Sequence, residues 1–203
     1  MKCLELFSGT GSVGSVAKEL GYEVVSLDRD MEADIKCDIM DWDYKIYPPK
    51  YFDVIWASPP CTEYSRCKTI GVRDIAGSNI IVQRTLEIIE YFYPKYWIME
   101  NPQTGLLKDQ LCRWGIPFKD VDYCRYGMPY RKRTRIWNNI FNWNPKPLCK
   151  KDCLAMNETK TRHKEEAQRA GSTAERRLTG RRFKQSELYR VPAELIKEIL
   201  ESI

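Results

Sequence analysis

The stretch Lys2–Gly11, KCLELFSGTG, combines a short apolar strand with a turn rich in glycine. The segment Ser12–Leu20 follows at once with a helical pattern, and Gly21 stands where that helix should stop. Glycine lets the backbone approach a ligand closely and adopt positive φ without penalty. This strand–turn–helix unit therefore predicts the ligand-binding start of an α/β fold.

Strand and helix signals alternate through the first half of the chain. Strands are predicted at Tyr22–Leu27, Phe52–Ala57 and Tyr96–Met99, and a second long helix at Asn79–Phe92. This alternation is typical of an α/β fold with a mostly parallel sheet and helices on both faces. Open sheets of this kind bind ligands beyond the carboxyl ends of their strands, and the polar motifs of this chain stand there.

Acidic side chains follow the glycine-rich turn at the next strand ends. Asp28 closes the second predicted strand, seventeen residues after Gly11, where a carboxylate can accept hydrogen bonds from ribose hydroxyls. Asp38 follows after a short loop and is placed to reach an adenine amino group. These acids favour a ligand that contains adenosine. They do not identify the cofactor, since a nicotinamide-binding unit has a similar pattern.

The loop Ser58–Ser65, SPPCTEYS, places a thiol just beyond the third strand. Pro59 and Pro60 restrict the backbone and aim Cys61 toward the ligand cleft. Enzymes that methylate exocyclic amino groups carry an aromatic residue in a similar turn, whereas carbon 5 of cytosine reacts only after a nucleophile has added to carbon 6. A thiolate is both a nucleophile and a good leaving group, so this loop favours covalent catalysis by Cys61.

Two further motifs supply groups that such chemistry needs. Glu100 precedes Asn101 and Pro102 at a predicted strand end and, when protonated, can donate a hydrogen bond to N3 of cytosine. Arg133 and Arg135 carry planar guanidinium groups that suit a flipped base and its phosphates. We therefore expect these three charged residues to act with the thiol as the catalytic set.

Together these motifs resemble those of the cytosine-C5 DNA methyltransferase family, in particular the small forms of phages and large DNA viruses. The resemblance covers about residues 2–137 and the last helix, with four motifs in the family's order. It implies a Rossmann-like, S-adenosylmethionine-dependent methyltransferase fold and a covalent adduct of Cys61 with a base flipped out of double-stranded DNA. The cofactor-binding residues that it implies are Phe7, Ser8, Gly9, Gly11, Asp28, Asp38 and Pro59.

Three features depart from the family pattern. Arg131 stands where the family has glutamine, and the Gly-Asn that usually precedes the final valine-proline is absent before Val191 and Pro192. The target-recognition region is reduced to residues 141–185, which predicts that only a few base pairs are recognised. Two alternatives remain open. One is a transfer-RNA cytosine-5 methyltransferase with the same catalytic set, and the other is a catalytically silent DNA-binding relative.

A basic insertion at 141–185 is predicted to divide the catalytic domain into residues 1–140 and 186–203. From Asn144 to Lys184 the chain has twelve lysines and arginines against five acidic residues, which favours contact with DNA phosphates. A surface loop that orders only on binding is the alternative. The residues expected to contact phosphates are Arg176, Arg177, Arg181, Arg182 and Lys184.

The same insertion contains two cysteines and the only histidine of the chain. Cys149 and Cys153 are separated by three residues, as in one half of a structural zinc site, and His163 can add a third ligand. A fourth ligand would be Asp152, water or a distant residue such as Cys124. Free thiols and an exposed histidine in a basic loop are the other interpretation.

Composition limits the classes of protein to consider. Hydrophobic residues make up 43% and charged residues 30% of the chain, and no apolar run approaches the ~20 residues of a membrane span. Six of the eight cysteines, all but Cys149 and Cys153, are scattered through predicted strands and loops, unlike those of a disulfide scaffold. This favours a reducing compartment such as the cytoplasm or nucleus of a host cell. We expect a monomer whose partner is double-stranded DNA, without contact to a membrane.

Overall fold

A seven-stranded sheet organises the part of the chain that the structure describes. The computed structural model describes residues 1–66, 68, 70–111, 115–165, 167 and 183–203. Across the sheet the strand order is β3-β2-β1-β4-β5-β7-β6; β1 to β5 are parallel to one another, and β6 and β7 pair antiparallel. The predicted α/β fold with a mostly parallel sheet is thus confirmed. In chain order the strands are β1 (Lys2–Leu6), β2 (Glu23–Asp28), β3 (Ile35–Lys36), β4 (Val54–Ala57), β5 (Tyr96–Pro102), β6 (Phe118–Asp122) and β7 (Arg133–Asn138).

Helices cover both faces of the sheet. Helices α1 and α5 pack together on one face, over a buried cluster that includes Trp56 and Ile98. Helix α2 packs on the other face, over a cluster that includes Ile55 and Phe52. No helix in the described ranges has both the length and the apolar character needed to cross a membrane. The helices are α1 (Ser12–Glu19), α2 (Ile75–Phe92), α3 (Leu107–Leu111), α4 (Gln185–Tyr189) and α5 (Ala193–Leu200), with short 3-10 turns at Tyr44–Ile46 and Tyr123–Tyr126.

Strand β1 lies inside the parallel part of the sheet, between β2 and β4. Cys3 belongs to the cluster under α1, whereas Leu4 and Leu6 belong to the cluster under α2. From Cys3 to Leu6 the strand is thus buried on both faces, and it is apolar there apart from Glu5. The helix that follows β1 and the helix that follows β4 lie on opposite faces. The gap between these two strands is therefore a topological switch point, where α/β sheets bind ligands.

Glu5, buried in β1, holds the first turn of α1. Its Oε1 accepts the Val13 N–H at 3.2 Å, and its Oε2 accepts the Gly14 N–H at 3.0 Å. These are amides that the helix itself leaves unpaired. Burial raises the pKa of Glu5 to about 7. The carboxyl group therefore fixes the helix against the strand, next to the glycine-rich turn.

The two largest differences from the predicted element boundaries each have a local reason. Helix α2 begins at Ile75 rather than at Asn79, because Asp74 caps it by accepting the Gly77 N–H at 2.8 Å. Strand β5 continues through Pro102, because β7 pairs with it there. The Glu-Asn-Pro motif therefore lies inside the strand and not beyond its end. The sequence pattern does not predict β6 and β7 at all.

Between β7 and α4 the described residues form neither a helix nor a strand. Trp143 is nevertheless buried in the same cluster as α5, and its indole N–H donates to Glu198 at 2.9 Å. The start of the predicted insertion thus packs on the sheet domain, and the boundaries at 141 and 185 stay a prediction. Lys184 is described and exposed. The other residues expected to contact phosphates lie outside the described residues: Arg176, Arg177, Arg181 and Arg182.

Replacement of Gly14 by alanine is expected to lower the free energy of unfolding by about 1–3 kcal/mol. A Cβ atom at this position would lie 2.6 Å from Glu5 Oε2 and 3.2 Å from Val24 Cγ1. The carboxyl group cannot move away without losing its two amide hydrogen bonds. Urea unfolding of Gly14→Ala measures the loss. Ser15→Ala, at an exposed position of the same helix, is the control and should be neutral or slightly stabilising. Equal stability of wild type and Gly14→Ala would contradict this packing.

Candidate active site

A cleft of about 350 Å³ opens at the carboxyl ends of β1 and β4. Its walls are the loops that follow β1, β2 and β4, the end of β5 and the segment that joins α4 to α5. This volume is within the range of small-molecule sites. The cleft brings together most of the residues that the sequence singled out, namely Phe7, Ser8, Gly9, Asp28, Asp38, Pro59, Cys61 and Glu100.

The turn after β1 owes its shape to three residues with positive φ. Gly9 has a φ of 53° and Gly11 a φ of 67°, which glycine adopts without strain. Phe7 has a φ of 60°, a conformation that a bulky side chain disfavours and that the surrounding fold must enforce. Gly11 is the N-cap residue of α1, so it shapes the turn without lining the cleft itself.

Asp28 joins the glycine-rich turn to the loop after β2. Its Oδ2 accepts the Gly9 N–H at 2.8 Å. Its Oδ1 accepts the N–H groups of Asp30 and Met31 at 2.9 and 2.8 Å. A carboxylate oxygen can accept more than one hydrogen bond, so Asp28 can still receive the hydroxyl donors of a ligand. Asp38 lines the cleft beside it.

Ser8 presents a hydroxyl group that the described residues leave unpaired. Its Oγ is buried, has no hydrogen-bond partner in the described part of the chain and belongs to a residue that lines the cleft. A buried polar group without a partner costs free energy unless a ligand completes it. With the carboxylates of Asp28 and Asp38 nearby, this wall of the cleft fits a polar, adenosine-containing cofactor.

The loop that carries Cys61 is fixed on both sides by hydrogen bonds. Before the thiol, the Pro59 carbonyl accepts a hydrogen bond from Asn101 Nδ2 of β5 at 2.9 Å. After the thiol, the Glu63 carboxylate accepts the Asp74 N–H at the start of α2, at 2.8 Å. These bonds tie the loop to a strand and to a helix, so the thiol has a defined position in the cleft.

Cys61 lies between groups of opposite charge. Burial raises the pKa of its thiol, the Lys132 ammonium lowers it, and the Glu100 carboxylate raises it, with a net increase. Lys132 is itself held in place, because its Nζ donates to the Leu188 carbonyl at 3.0 Å and lies 5.0 Å from the centre of the Tyr123 ring. The thiol of the free protein is therefore protonated at neutral pH.

Glu100 is buried on β5, and a tyrosine fixes its orientation. Its Oε2 accepts a hydrogen bond from the Tyr123 hydroxyl at 3.2 Å. Burial raises the pKa of Tyr123, so the hydroxyl remains a donor throughout the physiological range. The structure thus holds an oriented carboxyl group whose charge acts on the Cys61 thiol.

Arg133 and Arg135 do not line the cleft. Each makes a bidentate contact with an aspartate of β6, Arg133 with Asp122 and Arg135 with Asp120, at shortest distances of 2.8 and 2.7 Å. Successive residues of a strand face opposite sides, and the register of β5 with β7 puts both arginines on the face opposite to Glu100. The structure therefore does not bring these two predicted residues to the thiol.

Lys132 and Tyr123 are the site residues that sequence reasoning missed. Lys132 stands inside the basic run Arg131–Arg133, and only the register of β7 decides which of these side chains reaches the cleft. Tyr123 is one of 12 tyrosines and belongs to no recognisable motif. No local signal distinguishes either residue, because both act through contacts distant in sequence.

A second group of reactive side chains lies beside the 3-10 turn Tyr123–Tyr126. The ligand atoms of this group lie within 4.8 Å of one another, and the residues are Cys124, Cys149, Cys153 and His163. The three residues singled out in the insertion thus meet, and Cys124 joins them as the fourth. Asp152, the alternative fourth ligand, instead pairs with Arg125 at 2.6 Å.

Comparisons with known proteins agree on one family. The family model for C-5 cytosine-specific DNA methylases matches residues 1–127. The chain is 36% identical to the "Probable DNA (cytosine-5)-methyltransferase" of frog virus 3 (isolate Goorha), over 99% of each protein. It is 28% identical to the type II methyltransferase M.HindV of Haemophilus influenzae, over 67% of this chain and 51% of that protein.

A solved structure shares the fold. It is the crystal structure of a protein described as a DNA modification methyltransferase encoded within a prophage of E. coli, with a TM-score of 0.54 and 16% identity. The match covers 73% of this chain and 52% of that one. At this level of identity the likeness shows the fold alone. The chain spans nearly the whole viral relative but only about half the length of the two bacterial proteins.

Arg133→Ala is expected to lower the free energy of unfolding by about 3–5 kcal/mol. Asp122 is fully buried, so removal of the guanidinium leaves its carboxylate without a counter-ion. Urea unfolding at neutral pH measures the change. Arg131→Ala, at an exposed position nearby, is the control and should alter stability by less than about 0.5 kcal/mol. Unchanged stability combined with lost activity would return Arg133 to the catalytic set.

The charges beside Cys61 predict opposite effects of two substitutions on thiol reactivity. Lys132→Met removes the cation that lowers the pKa of Cys61, so alkylation at mildly alkaline pH should become slower. Glu100→Gln removes an anion that raises this pKa, so alkylation should become faster. In wild type the rate should still rise with pH well above neutrality, because the pKa is raised. Mass spectrometry of the Cys61 peptide separates this thiol from the others. A shift of both variants in the same direction would disprove this arrangement.

Proposed function

We propose that this chain, which belongs to the family of C-5 cytosine-specific DNA methylases, transfers a methyl group from S-adenosylmethionine to carbon 5 of cytosine in DNA. The observation that carries the proposal is the meeting of Cys61, Glu100 and Lys132 in one cleft with the glycine-rich turn. The family implies S-adenosylmethionine as the methyl donor. A nicotinamide cofactor would leave the thiol and the carboxyl group without a role.

The glycine-rich side of the cleft suits S-adenosylmethionine. Asp28 offers acceptors to ribose hydroxyls, Asp38 to the adenine amino group, and the unpaired Ser8 hydroxyl to the amino-acid part. Phe7 and Pro59 add apolar surface to the same wall. When bound there, the cofactor supplies an electrophilic methyl group.

Cys61 supplies the nucleophile in the proposed reaction. Its thiolate adds to carbon 6 of cytosine, and the electron pair displaced from the ring bond makes carbon 5 able to take the methyl group. A water molecule of the solvent then takes the proton from carbon 5, and the electron pair of that C–H bond restores the ring double bond as the thiolate leaves carbon 6. Glu100, in its protonated form, donates to N3 and draws electron density away from carbon 6 as the sulfur attacks.

Lys132 takes the place at the thiol that the resemblance gives to the arginines. Its ammonium group favours the thiolate form of Cys61 by charge alone. Arg133 and Arg135 act as positioning residues, because their contacts with the aspartates of β6 hold β7 in register. Loss of either arginine would then act on the reaction through β7 and Lys132.

Double-stranded DNA is the proposed partner. The target base has to leave the duplex, because Cys61 and Glu100 lie inside a cleft. One chain carries every group named above, which is consistent with a monomer. The cysteines of the described residues are free thiols, which suits a reducing compartment such as the cytoplasm or nucleus of a host cell.

The decisive experiment uses duplex DNA in which 5-fluorocytosine replaces cytosine, incubated with the protein and S-adenosylmethionine. Fluorine at carbon 5 cannot leave as a proton does, so the enzyme should remain covalently attached and resist denaturing electrophoresis. Cys61→Ser should give no adduct, and Glu100→Gln should form it about 10²–10⁴-fold more slowly. Binding of radiolabelled S-adenosylmethionine shows that each variant has kept its fold.

Parallel reactions separate the DNA enzyme from its alternatives. Transfer RNA that contains 5-fluorocytosine should give no adduct under the same conditions. An adduct with RNA alone would make the chain a transfer-RNA methyltransferase. Cofactor binding without an adduct on either polymer would indicate a catalytically silent relative and overturn the proposal.

A further inference from the structure

We infer that a structural zinc ion ties the segment after β7 to the 3-10 turn Tyr123–Tyr126. Three thiols and one imidazole are a ligand set typical of structural zinc. Neither the family match nor the proposed reaction assigns a metal to this chain. The side chains that hold the ion are Cys124, Cys149, Cys153 and His163.

The ligand atoms lie close enough together for one ion to bind them all after small side-chain movements. All four lie within 4.8 Å of one another, and Cys149 Sγ is 3.5 Å from His163 Nε2. Zinc bonds of about 2.3 Å to sulfur and about 2.0–2.1 Å to nitrogen place such a pair about 3.6 Å apart in a regular tetrahedron. A disulfide would need two sulfurs about 2.05 Å apart, and these cysteines are free thiols.

A tight turn brings Cys149 and Cys153 to the same side. Asp152 Oδ1 accepts the Lys150 backbone N–H at 3.0 Å and also pairs with Arg125 at 2.6 Å. Lys151 has a φ of 67°, which is unfavourable for a residue other than glycine. Metal bonds on both sides of Lys151 would offset this strain.

A second turn brings His163 close to the thiols. Asn157 Oδ1 accepts the N–H groups of Thr161 and Arg162 at 3.0 and 3.2 Å, which reverses the chain. His163 then forms an isolated antiparallel bridge with Met156. The described residues between β7 and α4 contain no helix or strand. A metal ion that cross-links this segment would therefore stabilise it in place of regular hydrogen bonding.

The cluster is joined directly to the catalytic domain. The Cys149 N–H donates at 2.9 Å to Asp122, the buried aspartate of β6. Cys124 follows Tyr123, whose hydroxyl donates to Glu100 in the cleft. Four protein ligands fill a tetrahedral site, so the ion has a structural and not a catalytic role.

The test is the metal content of the full chain, purified under reducing conditions without a chelator. Mass spectrometry of the elements should find about one zinc per chain in wild type. Cys61→Ser removes a thiol outside the cluster and should keep the metal. Cys149→Ser and His163→Ala each lose one of the four ligands and should retain far less than one zinc per chain in the same purification. This readout is independent of methyl transfer, so failure of the proposed function would leave it unchanged.

Cobalt binding by wild type decides the matter if the cluster variants do not fold. After removal of zinc, titration with Co²⁺ should produce the strong visible absorption of a tetrahedral site and a thiolate charge-transfer band, and zinc should abolish both. Wild type without stoichiometric zinc, or with only the weak spectrum of octahedral cobalt, would overturn the inference. Equal zinc content in wild type and Cys149→Ser would overturn it as well.

Discussion

The antiparallel pairing of β7 with the end of β5 determines which charged groups meet the thiol. Side chains of a strand alternate between faces, so the observed register leaves Lys132 at the cleft and turns Arg133 toward Asp122. A shift of the β5–β7 register by one residue would exchange the side chains that face the cleft with those that face the β6 aspartates. The buried carboxylate of Asp122 would then lose its partner at a cost of several kcal/mol, so the β6 aspartates fix the register of the active site.

This constraint explains how much of the site could be read from the sequence. The loops that hold Asp28 and Cys61 come directly after short apolar strands, and local pattern is sufficient to place them at the same edge of a parallel sheet. The direction of Lys132 depends instead on a partner strand some thirty residues earlier in the chain. A run of three basic residues does not itself indicate which one faces the cleft.

The cysteine–histidine cluster likewise depends on contacts between residues that are distant in sequence. The spacing of Cys149 and Cys153 is a local signal, whereas Cys124 joins them only because β6 and β7 bring the 3-10 turn to the insertion. The 3-10 turn therefore contributes to both sites. Tyr123 orients Glu100, and the next residue, Cys124, belongs to the cluster. The predicted insertion thus meets the catalytic domain at the turn that also orients Glu100.

In the proposed reaction, the charge beside Cys61 changes when the target cytosine binds. A thiol attacks fastest when its pKa lies near the ambient pH, so the raised pKa of Cys61 in the free cleft leaves little of the reactive thiolate. Burial keeps Cys61 protonated, and therefore resistant to oxidation, as long as no cytosine occupies the cleft. The proposed role of Glu100 requires it to carry a proton when it donates to N3, and the negative charge that raises the pKa of Cys61 would then be absent. In the proposed reaction, the protonated Glu100 would thus favour both the polarised cytosine and the thiolate of Cys61, and the Lys132 ammonium would stabilise that thiolate.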